Sequence, residues 1–429
     1  MNVKKVLILA YYWPPSGGAG VQRWLKLTKY LAKQNVKVYV VTVDDQKASY
    51  MTVDHSLEVD VHPDVEVFRT DSFEPINYYS KLVGKSNVPT AGFSNVDNAK
   101  FSQKAVNFLR SNLFIPDPRV GWNKYALRKA EELIREQNIG TVITSSPPHS
   151  TQLVGLSLKR KFQDKIHWIA DFRDPWTDIY YYHLLGHSAI SHRINLSYEK
   201  KVIEQADRIL TVGDRFRDSL ISKTNKVSED KFVIISNGFD PDDFREKYIR
   251  KDETTFSIIY TGTMSEHYKP EVFFKALGSL VEKYPNEPIQ FTFVGIVAER
   301  IKRFAIDCLG TNAVFVPPVK HDRAVEYMLA ANVLFLVTQG EEGTIPGKTF
   351  EYLASGNRII CIGKGDASEA IKEFSAGASF ERNQEEELFV YLEKCLIEFK
   401  DGKSFQSDLT KINQLSREEQ ARQLVQYIR

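Results

Sequence analysis

Apolar positions along the chain fall into two alternating patterns. Short runs rich in β-branched residues, such as Val3–Tyr11, Val36–Val43 and Val65–Arg69, read as strands buried on both faces. Further strands are expected at Thr141–Thr144, His167–Ala170, Arg208–Val212 and Phe232–Ile235. Between them the apolar residues recur at helical spacing, over Val21–Ala32, Lys124–Glu136, Ser150–Phe162 and His192–Gln205. The second half repeats the logic, with strands at Phe256–Tyr260, Ile289–Val294, Ala313–Val316, Val333–Val337 and Arg358–Ile362. Its helices are expected at Glu271–Lys283, Arg323–Ala330 and Lys348–Ser355. Parallel strands need crossover connections, so this alternation predicts an α/β fold of two Rossmann-like, doubly wound parallel-sheet domains. The periodicity lapses over Asn237–Thr255, where Asn237-Gly238 and Asp240-Pro241-Asp242-Asp243 lead into a charged stretch. The expected domains are therefore 1–240 and 256–410, joined by a linker at 241–255. A C-terminal helix at 411–429 is expected to pack back toward the first domain.

Length and composition agree with this division and exclude several classes. A chain of 429 residues exceeds one ordinary core. Its 57 basic and 55 acidic residues leave a net charge of +2, without the basic excess of a nucleic-acid binder. Cys308, Cys361 and Cys395 are widely spaced and form no CxxC, which fits a reducing cytoplasm rather than a disulfide framework or a cysteine-built zinc site. The apolar run after Lys4-Lys5 ends in Tyr11-Tyr12-Trp13-Pro14-Pro15 with no small-residue cleavage site. No stretch reaches the roughly 20 apolar residues that span a bilayer. His183 and His187 have the spacing of a zinc helix, but Leu184 stands where that motif has its glutamate, so no metal is expected.

Ligands of such folds bind beyond the carboxyl ends of the strands, so the loops there carry the chemistry. After the first strand comes Pro14-Pro15-Ser16-Gly17-Gly18-Ala19-Gly20, leading into a helix whose first N–H groups suit an anion. Gly18-x-Gly20 opens a dinucleotide fingerprint, with Asp44 or Asp45 at the second strand's end, yet Arg23 replaces the third glycine. Later loops hold Ser145-Ser146-Pro147-Pro148-His149 and Asp171-Phe172-Arg173-Asp174-Pro175-Trp176. Carboxylates there can bond sugar hydroxyls, and Trp176 offers an apolar face to a sugar ring; ion pairs and caps that merely support the turn are the alternative. In the second half, Tyr260-Thr261-Gly262-Thr263-Met264 is followed by Lys269 at a helix start, well placed to neutralise phosphate. The block from Gly340 to Gly356 joins a glycine-rich loop to a short helix holding Lys348, Thr349 and Glu351. Glu351 is suited to grip the vicinal hydroxyls of a ribose.

This combination resembles the retaining GT-B glycosyltransferases of family 4. The stretches that carry the likeness are Pro14–Gly18, Asp171–Trp176, Asn237-Gly238-Phe239-Asp240, Gly262–Lys269 and Gly343–Gly356, in order across nearly the whole chain. The resemblance implies a nucleotide-sugar donor, a glycan or lipid-linked sugar acceptor, no cofactor, and a place in bacterial surface polysaccharide or glycan assembly. It implies that Lys269 stabilises the departing diphosphate, that Asp171 lies near the reacting sugar, and that Gly17 and Gly18 line an inter-domain cleft near the donor phosphates. Gly262, Thr263, Gly343, Thr344, Lys348, Thr349 and Glu351 complete the expected donor site. His149, Arg173, Asp174 and Trp176 are the expected acceptor residues.

Two positions depart from the family pattern. The first glutamate of its E-x7-E motif falls on Gly343, leaving Glu342 or Glu341 to reach the donor sugar, and Glu342 is the expected third catalytic residue. The arginine that accompanies the lysine falls on Thr263. A nucleotide-sugar epimerase of related fold and a non-catalytic nucleotide-sugar-binding protein are the alternatives. Residues Lys100–Phe114 also place Phe101, Ala105, Phe108, Leu109 and Leu113 on one helical face and Lys100, Lys104 and Arg110 elsewhere. That pattern fits either an ordinary packed helix or peripheral contact with an anionic membrane at the inner face.

Overall fold

The computed structural model describes residues 3–50, 52–74, 108, 110–179, 182–245, 249, 252–338 and 345–429. Glu342, Gly343 and Thr344, and most of the 100–114 stretch including Lys100 and Lys104, lie outside the described residues.

The first half of the chain runs through β1 (Lys5–Leu9), α1 (Ala19–Lys33), β2 (Lys37–Val43), β3 (Val65–Thr70), α2 (Asn123–Glu136), β4 (Thr141–Ser146), α3 (Ser150–Phe162), β5 (His167–Phe172), α4 (Ala189–Gln205), β6 (Arg208–Thr211), α5 (Asp214–Ser222) and β7 (Phe232–Ile234). The second half runs through β8 (Phe256–Met264), α6 (Glu271–Lys283), β9 (Ile289–Val297), α7 (Glu299–Leu309), β10 (Ala313–Val316), α8 (His321–Ala330), β11 (Val333–Val337), α9 (Gly347–Ala354), β12 (Arg358–Ile362), α10 (Asp366–Glu373), β13 (Gly377–Phe380) and α11 (Glu385–Lys400). The chain closes with α12 (Arg417–Val425). By contacts it divides at Ser236/Asn237, and α12 with the residues after it belongs to the first unit rather than the second.

Each unit is built on one sheet whose paired strands are all parallel, ordered β3-β2-β1-β4-β5-β6-β7 in the first and β10-β9-β8-β11-β12-β13 in the second. The expectation of two doubly wound α/β domains holds. The reason for the uninterrupted apolar strands is visible in β1. Val6 and Ile8 face a layer holding Trp24 and Leu25 of α1 with Ala421 and Leu424 of α12. Leu7 and Leu9 face Ala126, Ala130 and Leu133 of α2 and Val154 and Leu158 of α3. Both faces are covered, so alternation of polar residues has no role there. The second sheet is likewise packed on both faces. Phe273, Phe291, Phe293 and Phe335 crowd one of them, with Phe273 and Phe335 stacked 3.9 Å apart.

Several strands run further than their sequence pattern: β4 to Ser146, β5 to Phe172 and β9 to Val297. β8 runs on past Tyr260 to Met264, because β9 pairs with it throughout, Gly262 opposite Gly295. β13, Gly377-Ala378-Ser379-Phe380, carries no β-branched apolar run and is not among the expected strands. Among the described residues, no helix is long and apolar enough to cross a membrane.

Close packing between helix and sheet has a single-residue test. A Cβ on Gly155 of α3 would sit 2.2 Å from Nε1 of Trp168, which is fully buried and donates to Thr144 Oγ1 at 2.8 Å. Alanine favours a helix by about 1 kcal/mol over glycine, but the indole cannot retreat without losing its buried partner. Gly155→Ala is expected to destabilise the protein by about 1–3 kcal/mol net, read as a lowered calorimetric Tm.

Candidate functional site

In the first unit the strand order reverses at β1, which lies between β2 and β4. Loops after these strands diverge there and leave a crevice at their carboxyl ends. The loop after β1 is clasped by residues 52–54: the Gly17 N–H donates to the Thr52 carbonyl at 2.9 Å, and the Asp54 N–H donates to the Pro15 carbonyl at 2.7 Å. A Cβ at Gly17 would meet Thr52 Oγ1 at 2.9 Å, and Gly18 has φ +91°, a backbone only glycine adopts readily. α1 then starts with no side-chain cap and no acid in its first turn, leaving its N-terminal dipole for an anion. Arg173 lies against this turn, since a Cβ on Gly20 would be 2.6 Å from its Nη1. The Arg173 guanidinium pairs with Asp174 at 2.9 Å.

Asp171 sits at the centre of a buried network. Its carboxylate has no exposed surface and accepts from Arg23 Nη2 at 2.9 Å, Trp24 Nε1 at 2.8 Å and Ser145 Oγ at 2.8 Å. Arg23 also donates to the carbonyls of Ile235 and Ser236, at 2.9 and 3.1 Å. In this structure the Asp171 side chain ties α1 to β4 and β5 and turns no exposed surface toward a substrate. Sequence reasoning registered Arg23 as a missing glycine and did not see its partner.

The remaining expected acceptor residues do gather. His149 stacks on Trp176, 5.0 Å between centroids and 10° between planes, and Trp176 Nε1 donates to Asn195 Oδ1 at 2.9 Å. Burial pushes the His149 pKa down to about 4, with Arg173 adding to the effect, so the ring is neutral. Both rings line a cavity of about 180 Å³ that the first unit contains. Sequence reasoning missed that Asp117 and Arg119, together with Arg110, line the same cavity. Arg110, for which the sequence leaves an ordinary packed helix and a lipid-facing basic face both open, lies part-buried in this cavity lining. His187 and His192 carry no metal cluster among the described residues. His187 stacks on Tyr182, with its Nδ1 2.8 Å from Ser191 Oγ.

In the second unit the reversal falls at β8, between β9 and β11. Gly262 has φ +102°, and a Cβ there would lie 3.1 Å from Lys348 Nζ. Glycine thus lets the α9 lysine lie across the strand end, where Nζ donates to Tyr260 Oη at 2.6 Å and the Thr261 carbonyl at 3.1 Å. Nζ also sits 4.1 Å from the Tyr260 ring centroid. Burial pushes the Lys348 pKa down to about 8, opposed by Glu351. Thr349 is buried, and Tyr352 Oη accepts from the Thr261 N–H at 2.8 Å, fixing α9 against β8.

Glu351 is partly exposed and lies 3.8 Å from His321 Nε2, which is 3.1 Å from Asp243. Thr263 is exposed. Lys269 is exposed just before α6 and has no hydrogen-bond or ion-pair partner among the described residues. Arg300 of α7 holds its loop by donating to the carbonyls of Glu266 and Tyr268, at 3.2 and 2.9 Å, and by pairing with Glu271.

Two family models match the chain: the one described as Glycosyltransferase Family 4 over residues 92–243, and the one described as Glycosyl transferases group 1 over residues 255–397. Together they cover more than half of it. Compared by sequence with curated proteins, the chain has no match. Solved structures similar over nearly its whole length include sucrose-phosphate synthase from Thermosynechococcus elongatus, with a TM-score of 0.63 at 14% identity, covering 99% of this chain and 98% of that one. Anabaena Alr3699/HepE, solved with UDP-glucose, has a TM-score of 0.59 at 12% identity, with 99% and 98% covered. A putative UDP-N-acetylglucosamine 2-epimerase from Listeria monocytogenes has 0.54 at 11% identity, with 99% and 95% covered. At these identities the solved structures speak for the fold.

The placement of Asp171 has a direct consequence. Asp171→Asn leaves Arg23 with an uncompensated charge in the interior and is expected to lower unfolding free energy by about 3–5 kcal/mol. Denaturant titration followed by circular dichroism measures it; unchanged stability with lost activity would return Asp171 to a substrate-facing role.

Proposed function

We propose, for a chain that is a family-4-like glycosyltransferase of the GT-B fold, transfer of a sugar from a nucleotide-diphosphate donor to an acceptor hydroxyl, with retention, in bacterial surface polysaccharide or glycan assembly. The observation that carries the reading is the second unit's cation arrangement: a desolvated Lys348 ammonium at the end of β8, and an unpartnered Lys269 following the same strand. Leaving-group departure builds negative charge on the diphosphate, and preorganised cations stabilise it where they need no reorganisation. Lys348, held between two neutral oxygens with Glu351 as its one acidic neighbour among the described residues, gains most from such an anion.

In this reading Lys269 is the catalytic cation, while Lys348, Thr349, Gly262 and Thr263 contact the phosphates. Glu351, steadied by His321, takes the ribose hydroxyls. Glu342, Gly343 and Thr344 complete the donor site, with Glu342 or Glu341 toward the donor sugar. The Gly17–Gly18 turn and the uncapped start of α1 offer a further anion cradle in the first unit. The acceptor binds the first unit through His149, Arg173, Asp174 and Trp176. For retention the acceptor attacks on the face the diphosphate leaves, and a diphosphate oxygen takes its proton. UDP-glucose in the Anabaena structure supports a nucleotide-sugar donor here. The epimerase among the similar structures keeps a second reading in view, one that predicts epimerised sugar without an acceptor.

A panel of nucleotide sugars screened by thermal shift identifies the donor, since ligand binding raises Tm by mass action. With that donor, Lys269→Ala is expected to lower turnover by about 100-fold or more while leaving Tm unchanged; near-normal turnover would sink the assignment.

Lys348 gives a pH signature. A bound diphosphate raises its pKa above about 8, so binding takes up a proton and affinity falls as pH rises through 8 to 9.5. Lys348→Arg stays charged throughout. Calorimetric titration with the matching nucleoside diphosphate should show the decline in the native protein and a flatter profile in the variant. Identical profiles would remove Lys348 from the phosphate site.

A further inference from the structure

The cavity in the first unit holds more information than the acceptor reading uses. At about 180 Å³ it is somewhat larger than the roughly 150 Å³ cavity that accommodates benzene, so one six-membered ring fits. Two flat stacks line it: His149 on Trp176, and Tyr182 on His187, the latter pair 4.4 Å apart and 20° from parallel. Such faces pack against the C–H face of a sugar ring.

The lining also carries two guanidiniums, Arg110 and Arg119, with one carboxylate. Its carboxylate, Asp117, is fully engaged, accepting from the Ser150 N–H at 2.7 Å, Ser150 Oγ at 2.9 Å and the Arg119 N–H at 2.9 Å. Arg119 is 8% exposed; its Nη2 donates to the Ser49 carbonyl at 3.2 Å and its Nε has no partner. Arg110 is mostly buried, yet its guanidinium has no hydrogen-bond or ion-pair partner among the described residues. Burial and the neighbouring Arg119 charge push its pKa down to about 10, against the pull of Asp117. Asp117 offsets this charge only in part, His149 is held neutral, and the Arg119 Nε beside it is buried without a partner. An oxyanion brought by a ligand would offset the rest.

We propose that this cavity binds a sugar-sized ring bearing an oxyanion, a carboxylate or a phosphate, with Arg110 as the residue that selects the acid. Resting on the transferase reading above, this makes the acceptor an acidic sugar; the binding itself can be measured without a donor.

Titration calorimetry of the full chain with D-glucuronate, D-glucose 6-phosphate, D-glucose and inorganic phosphate tests it. Both acidic rings, or whichever carries the right acid, should bind at least about tenfold tighter than D-glucose, and the tighter of the two identifies the acid. Arg110→Met should erase the preference while Tm holds, because the guanidinium makes no hydrogen bond or ion pair among the described residues; a merely structural arginine would lower Tm. Equal binding of neutral and acidic rings, a preference that survives Arg110→Met, or inorganic phosphate binding as tightly as the rings would each overturn the proposal. Donor turnover, assayed in parallel as nucleoside-diphosphate release, separates the two readings. Turnover without acid preference sinks this inference alone, whereas acid preference without turnover supports the cavity's role and sinks the transferase reading.

Discussion

Arg23 and Asp171 meet where neither retains appreciable contact with water. Removing two charges from solvent carries a penalty of several kcal/mol per ion, and attraction offsets it only if every remaining donor and acceptor is satisfied. Here that condition is closely met. The carboxylate accepts from an arginine, a tryptophan and a serine, and the guanidinium also reaches two backbone carbonyls beyond β7. The Ser236 carbonyl in turn accepts from Gln420 at 3.1 Å, so α12 joins the same network. One pair therefore fixes the start of α1, the ends of β4 and β5, and the chain's exit from the first sheet. The loops that carry Arg173, Trp176 and His149 start from those fixed ends.

The second unit reaches its site by the opposite electrostatic route. Among the described residues no carboxylate bonds Lys348; a tyrosine hydroxyl and a backbone carbonyl hold the ammonium instead. Close approach does the positioning. Gly262 lacks the Cβ that would press on Nζ, and Gly295 beside it lacks one that would fall 2.3 Å from the Gly262 carbonyl. Burial pushes the Lys348 pKa down, and the two neutral oxygens with Glu351 nearby do not fully offset that. An arriving anion therefore has more to gain there than at a completed pair.

Much of the fold was legible because parallel strands covered on both faces must be apolar throughout, and nothing else in the chain looks like that. The site was legible by location more than by role. Asp171 was found at a strand end, where α/β folds keep their ligands, but strand alternation decides where it faces. His167, Ile169 and Asp171 share one face of β5, and Ile169 packs in the layer that α1 covers. Trp168, Ala170 and Phe172 share the other. That parity signal was present and outweighed by proximity to Trp176. Arg110 left two readings open for another reason. Helical periodicity reports one face of a helix against the other, and it says nothing of residues on other elements, such as Asp117, His149 and Tyr182, that line the same cavity.

These cases share a criterion that motif reading lacks. Charges at the surface form pairs that contribute little to stability, and a buried pair such as Arg23 with Asp171 accounts for its own burial. A cation drawn in from solvent with no carboxylate hydrogen-bonded to it among the described residues does neither. It adds little to the stability of the free protein, and it persists where stability lies above threshold and function draws on it. Lys348 and Arg110 meet that description in separate units, one against neutral oxygens and one beside a second guanidinium. Each identifies the ligand group that would relieve it, and that group is an oxyanion in both.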